Sequence, residues 1–213
     1  VTEAKTNERL RLYLIRHGEV EGSKSGRVLG WTDSSLSELG LEQSRQVAET
    51  LASLELSAVY SSDLRRARVL AEKIAEPRHL DVRTDTAWRE INMGEWEGRT
   101  IAALHDEAPS LVAELFDDPA SFEYPRGESF AVFITRVQSA LQNLLATHGG
   151  GNVALVAHGG VCRTIIGNAL GMPTKNWLRL AQDYGCVNVI DWYGGNPILR
   201  LLNRGPSSPL DLS

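Results

Sequence analysis

Cysteine is scarce. Only Cys162 and Cys186 occur among 213 residues, with no Cys-x-x-Cys pair and no zinc-ligand spacing. That excludes a disulfide framework and fits a reducing compartment, with both thiols expected as small buried side chains. Long apolar runs are also missing. Residues 1–9 are polar and carry both charge signs, so no segment for export or bilayer crossing is expected and the chain is placed in the cytoplasm. Nor is there an excess of cations: Lys and Arg number 22 against 27 Asp and Glu, for a net charge of -5. Such a chain has no global field to draw nucleic acid or an anionic membrane, and neither is expected as a partner. Any anion it binds must be held locally.

What is present describes one α/β domain over residues 1–213. Apolar residues make up 42% of the chain, enough for a sizeable core. Short apolar runs at 12–15 and 152–157 suit buried parallel strands, and each is followed at once by a His-Gly pair. Between them, 58–60 reads as another strand. Residues 37–54 read as a helix opened by Ser37, and Asp63 stands at the expected N-cap of a helix with Leu64, Ala67, Leu70, Ala71 and Ile74 on one face. The pattern weakens after Pro77, where two short helical stretches form an expected insertion at about 99–126. Phe130, Phe133, Ile134, Val137 and Leu141 then mark the longest helix, ended by the glycines at 149–151. A helix over 161–170 and strands at 187–192 and 198–202 complete a three-layer α/β/α fold with a mostly parallel sheet, and residues 205–213 are expected to be a disordered tail.

Residues just beyond strand ends have a raised prior for function in such sheets. Arg16-His17-Gly18 and His158-Gly159-Gly160 both stand there, the second opening a helix whose free N–H groups favour an anion. Two histidines and an arginine at strand ends describe a site of phosphate size. Arg65, Arg66 and Arg68 crowd the first turns of the helix after Asp63, where the dipole disfavours cations. One of the three is expected to point into the site as a phosphate clamp. Glu90, Glu95 and Glu97 lie among Trp88, Ile91, Met93 and Trp96. A carboxyl group dehydrated by such neighbours favours its protonated form, a property a departing alkoxide needs, and spacing leaves all three open.

Together these segments resemble the histidine phosphatase superfamily, in its phosphoglycerate mutase-like branch. Leu14-Ile15-Arg16-His17-Gly18-Glu19 is similar to its nucleophile motif, and Leu36-Ser37-Glu38-Leu39-Gly40 to the start of its first helix. Ser61-Ser62-Asp63-Leu64-Arg65-Arg66-Ala67 resembles the segment whose arginine enters the pocket, which selects Arg66. The stretch from Arg89 to Gly98 resembles the proton-donor segment, which selects Glu90, and Val156-Ala157-His158-Gly159-Gly160 matches the second-histidine motif. The matches keep family order from about 10 to about 203. The resemblance implies metal-independent chemistry with no cofactor. His17 attacks phosphorus and is transiently phosphorylated, Arg16, Arg66 and His158 surround the phosphoryl oxygens, and Glu90 protonates the leaving oxygen and then activates water. Gly18, Ser23, Gly30 and Gly159 are expected to bind substrate; Ser23 stands where many relatives have asparagine, and Gly30 where a family backbone approaches substrate.

The expected substrate is a small phosphate ester. Phosphoglycerate mutases usually carry a longer insert between proton donor and second histidine, whereas Glu90 and His158 are 68 residues apart. The compact insert, the Arg126-Gly127-Glu128-Ser129-Phe130 stretch and the strand from Gly185 to Asp191 look most like α-ribazole phosphatases of cobalamin synthesis. A cofactor-dependent mutase and a non-catalytic phosphate-binding module are the alternatives. A dinuclear metal phosphatase lacks the extra His and Asp ligands near these motifs. A homodimer is compatible with the sequence.

Overall fold

Six strands, β1 Arg9–Arg16, β2 Ala58–Ser61, β3 Val82–Thr84, β4 Gly151–Ala157, β5 Val187–Tyr193 and β6 Asn196–Arg204, form one sheet in the computed structural model, which describes residues 8–210. Their order is β3-β2-β4-β1-β5-β6. β1 to β4 run parallel, while β5 and β6 join antiparallel at one edge. Six helices cover the two faces or extend from them: α1 Glu38–Thr50, α2 Arg65–Ala75, α3 Ile101–Glu107, α4 Pro109–Asp117, α5 Phe130–Thr147 and α6 Gly159–Ala169. The pleat of β1 sorts the core. Leu10, Leu12 and Leu14 pack with Val137, Leu141 and Ile165 of α5 and α6, while Tyr13 and Ile15 pack with Val47, Leu51, Leu70 and Ile74 of α1 and α2. Full burial of each such aliphatic side chain is worth about 1.5–3 kcal/mol. No helix among the described residues is long and apolar enough to cross a membrane.

This layering creates the place for a site. β1 and β4 are neighbours, yet the helix after β1 covers one face and the helix after β4 the other, so the backbone parts at their carboxyl ends. Gly18 and Gly40 bring the start of α1 close against this point. A Cβ at Gly18 would lie 2.4 Å from the Gly40 carbonyl, and one at Gly40 would lie 1.9 Å from the Glu19 carbonyl. Ser37 caps α1 by accepting from the Gly40 N–H at 3.1 Å.

Three expectations are corrected. β3 is an additional strand, too short and too exposed to leave an apolar signature. Asp63 does not cap α2: Leu64 occupies that position, the Arg65 N–H donates to Asp33 from another loop, and Asp63 instead pairs with Arg89 at 2.8 and 2.5 Å. Finally, residues 205–210 are not a loose tail. The Pro206 carbonyl accepts from Thr50 Oγ1 at 2.9 Å and Leu210 packs against the α1–α2 layer, whereas 211–213 lie outside the described residues.

Candidate active site

The β1–β4 register pairs Arg16 with Ala157, so the next residues, His17 and His158, emerge side by side. The His17 N–H donates to the Ala157 carbonyl at 3.1 Å, and the two rings meet edge to face with centroids 5.0 Å apart. Nδ1 of His17 lies 2.7 Å from the Gly18 carbonyl. A carbonyl only accepts, so this nitrogen carries the proton and Nε2 keeps its lone pair. Burial, with the charges of Arg66 and Arg16 beside it, holds the His17 pKa well below the ordinary imidazole value, against the opposing pull of the Gly18 carbonyl. His158 is pushed down likewise, by burial first and then by Arg66, His17, Arg16 and Arg136. Both rings are therefore neutral near pH 7.

Arg66 is the arginine of its trio that turns inward, with 1% of its surface exposed. Its guanidinium donates to the Gly30 carbonyl at 2.6 Å and the Thr32 carbonyl at 2.7 Å, so backbone dipoles hold it without neutralising its charge. Arg16 donates to the Gln182 carbonyl and lies against the ring of Tyr184, 3.9 Å from its centre. Arg16 Nε and both ring nitrogens of His158 are buried without a hydrogen-bond partner among the described residues. Three unpartnered polar atoms at one point suit an oxyanion with several acceptor oxygens. Among the described residues no three His, Cys, Asp or Glu side chains converge as metal ligands would.

Glu90 stands at the opening of α6. Its Oε2 accepts from the Gly160 N–H at 2.8 Å and its Oε1 from the Ile91 N–H at 3.0 Å. Gly160 leaves no room for anything larger, since a Cβ there would sit 2.1 Å from Glu90 Oε1. Glu95 faces outward and pairs with exposed Arg126. Glu97 has a supporting place that sequence reasoning did not find. Its carboxylate accepts from the N–H groups of Gly30 at 3.1 Å, Trp31 at 2.7 Å, Thr32 at 3.1 Å and Met93 at 3.3 Å, binding the loop that holds Arg66 to the Glu90 segment. Burial raises its pKa, but these hydrogen bonds prevail and hold it below the usual carboxylate value. Tyr184, 5.7 Å from the His17 ring, is a second residue missed.

The four expected substrate-binding positions divide. Gly159 opens α6 beside Arg16, a Cβ there lying 3.5 Å from Arg16 Nε, and Gly18 orients His17 through its carbonyl. Gly30 is placed differently from expectation: its N–H is taken by Glu97 and its carbonyl by Arg66, so it supports the arginine. Ser23 lies in a short 3-10 turn and donates its N–H to the Val20 carbonyl, with no hydrogen bond among the described residues to the histidines or arginines of the site. Cys162 and Cys186 are free and buried, as expected, and burial pushes both thiols up.

Neutral imidazoles and guanidiniums meeting at the ends of two parallel strands make a site in this α/β fold that suits an anion. The chain belongs to the histidine phosphatase superfamily (branch 1), whose family model matches residues 12–205. The fold matches that of the α-ribazole phosphatase from Shigella flexneri, with a TM-score of 0.84 at 28% identity, covering 94% of this chain and 99% of that one. A mycobacterial glucosyl-3-phosphoglycerate phosphatase is equally similar, with a TM-score of 0.84 at 31% identity over 93% of this chain and 100% of the other. By sequence, the chain is 35% identical over 183 residues to "probable phosphoglycerate mutase GpmB" of Proteus mirabilis, covering 86% of this chain and 85% of the relative. The family supports an enzyme acting on phosphate esters.

Proposed function

We propose that the chain is a phosphomonoester hydrolase working through a phosphohistidine on Nε2 of His17. The observation that carries this reading is the state of the imidazole: Nδ1 is tied to Gly18, while Nε2 is left unprotonated among Arg16, Arg66 and His158. In the first step the Nε2 lone pair forms a bond to phosphorus as the ester P–O bond breaks. Glu90 delivers a proton to the departing oxygen. In the second, water attacks phosphorus, its proton returns to Glu90, and the N–P bond breaks to regenerate His17. Arg16, Arg66 and His158 stabilise the charge spread over the equatorial oxygens in both steps, with no metal and no cofactor needed.

The substrate is a small phosphate ester, and the solved relatives named for α-ribazole and glucosyl-3-phosphoglycerate support a sugar- or nucleoside-like alcohol. α-Ribazole 5'-phosphate is the first candidate, because the compact insert looks most like that branch. A second reading, phosphoglycerate mutase, is favoured by the name of the Proteus mirabilis relative. The two separate in one assay without metal. A hydrolase releases phosphate from a panel of α-ribazole phosphate, sugar phosphates, 3-phosphoglycerate and p-nitrophenyl phosphate, and resists EDTA. A mutase instead converts 3-phosphoglycerate to 2-phosphoglycerate when primed with the bisphosphate. Acid-labile, base-stable labelling by radioactive phosphate ester, lost in His17→Ala, tests the intermediate; labelling that persists in that variant overturns it.

A further inference from the structure

Between the 3-10 turns at Thr86–Trp88 and Gly94–Trp96, the backbone that carries Glu90 belongs to no helix or strand. A carboxyl group on such a segment points wherever its backbone is held, so the contacts that hold the backbone decide the direction of the acid. Trp31 Nε1 donates to the Glu90 carbonyl at 2.9 Å, and Arg136, from α5, makes three more of these contacts. Its Nη1 donates to the carbonyls of Ala87 at 3.0 Å and Arg89 at 2.8 Å, and its Nη2 donates to the carbonyl of Glu90 itself at 2.8 Å. The same guanidinium is gripped by Glu128, through Nε at 2.7 Å and Nη2 at 2.8 Å. Glu128 also accepts from the Asn92 N–H at 3.1 Å, beyond Glu90 along the chain. The pair thus brackets residues 87–92 on both sides of the acid. Only 19% of the Arg136 side chain and 9% of that of Glu128 are exposed.

A paired arginine and glutamate this far from water add little net stability over apolar residues of similar size, so stability alone does not account for them. A planar fork that satisfies one carboxylate and three carbonyls at once is, by contrast, a device for geometry, and an ammonium cannot reproduce it. We infer that Arg136 and Glu128 are positioning residues that aim the carboxyl group of Glu90 at the leaving oxygen. They act through the backbone of 87–92 and touch neither the carboxyl group nor the reacting atoms. The inference deepens the proposed function and rests on its assignment of Glu90 as proton donor.

The test is the dependence of kcat/KM on the leaving group, because this parameter reports cleavage of the ester bond. p-Nitrophenolate departs without a proton, whereas an alkoxide requires one. In Arg136→Lys, kcat/KM for an alkyl phosphate is expected to fall about 30-fold, the scale of a misplaced general acid, and for p-nitrophenyl phosphate less than about threefold. Inhibition by inorganic phosphate stays unchanged, and the Glu90→Gln/Arg136→Lys double variant is no worse on the alkyl ester than Glu90→Gln. Glu128→Gln gives the same pattern and carries the comparison should Arg136→Lys fail to fold. Equal losses on both esters in these variants, with Glu90→Gln still selective for the alkyl ester, overturn the inference alone. Equal losses in Glu90→Gln itself overturn the proton-donor assignment instead.

Discussion

Gly160→Ala separates chemistry from stability. The glycine lies in α6, and a Cβ placed on it would meet Glu90 Oε1 at 2.1 Å, Glu90 Cδ at 3.0 Å and Phe133 Cζ at 3.2 Å. An ordinary carbon–oxygen approach is about 3.3 Å, so the oxygen must retreat by about 1.2 Å. The retreat also stretches the 2.8 Å bond from the Gly160 N–H to Oε2. Displacing a catalytic group by about 1 Å costs on the order of 100-fold, within the 100- to 10,000-fold that a general acid contributes. Stability moves little. Alanine is favoured over glycine in a helix by about 0.5–1 kcal/mol, which offsets the roughly 1 kcal/mol of the weakened hydrogen bond. The assay pairs kcat/KM on an alkyl phosphomonoester with urea unfolding. A loss smaller than threefold, or a loss accompanied by destabilisation above about 3 kcal/mol, would refute the assignment of Glu90 to a crowded, fixed position.

The neutral histidines make stability pH-dependent. Their folded pKa values lie below the unfolded value of about 6.5, so the unfolded chain binds more protons in that interval. Their contribution to stability is therefore constant well above pH 6.5 and falls below it, by at most about 1.4 kcal/mol per pH unit per histidine; urea titrations at pH 7.5, 6.5 and 5.5 check the sign, and a flat profile across that range contradicts it. Glu97→Gln replaces a carboxylate that accepts four N–H groups, loosening the loop under Arg66, and is expected to weaken vanadate binding at least tenfold, about 1.4 kcal/mol. Tyr184→Ala removes the ring on which Arg16 rests, worth about 0.5–2 kcal/mol, and should raise the inhibition constant for phosphate by roughly 3- to 30-fold; an unchanged constant would detach Tyr184 from the site.

The fold was legible where burial is complete. β1, β4 and β5 have nearly unbroken buried faces, and α5 has a long periodic stripe, so composition and spacing suffice for them. β3 is three residues long and mostly exposed, which leaves nothing to read. Among the site residues, the histidines announce themselves by following strands, whereas choosing Arg66 over its neighbours needed the family resemblance. Helical periodicity would have served: Arg66 is four residues before Leu70 and eight before Ile74, on the buried face, while Arg65 and Arg68 are exposed. Glu97 and Arg136 are of another kind. Their partners stand up to 67 and 49 residues away in sequence, and a carboxylate collecting distant N–H groups has no local signature.

On the proposed mechanism, the distribution of carboxylates lets one site keep the nucleophile neutral and an oxyanion stable together. Arg66 is buried, and desolvation works against its charge, offset in part by Glu90, Asp33 and Glu97. None of those three pairs with it. Asp33 accepts the N–H of Arg65, Glu97 accepts the loop amides, Glu90 accepts the amides of Ile91 and Gly160, and the nearby Asp63 is taken by Arg89. The guanidinium is solvated by carbonyls instead, so its charge is not neutralised by a direct partner and adds to burial, the larger cause, in depressing both imidazoles. A dianion entering the site meets that same field from the other side. On the proposed mechanism, the charge that helps burial keep the proton off Nε2 is also the charge that holds the phosphoryl oxygens, and a direct carboxylate partner for Arg66 would weaken both effects at once.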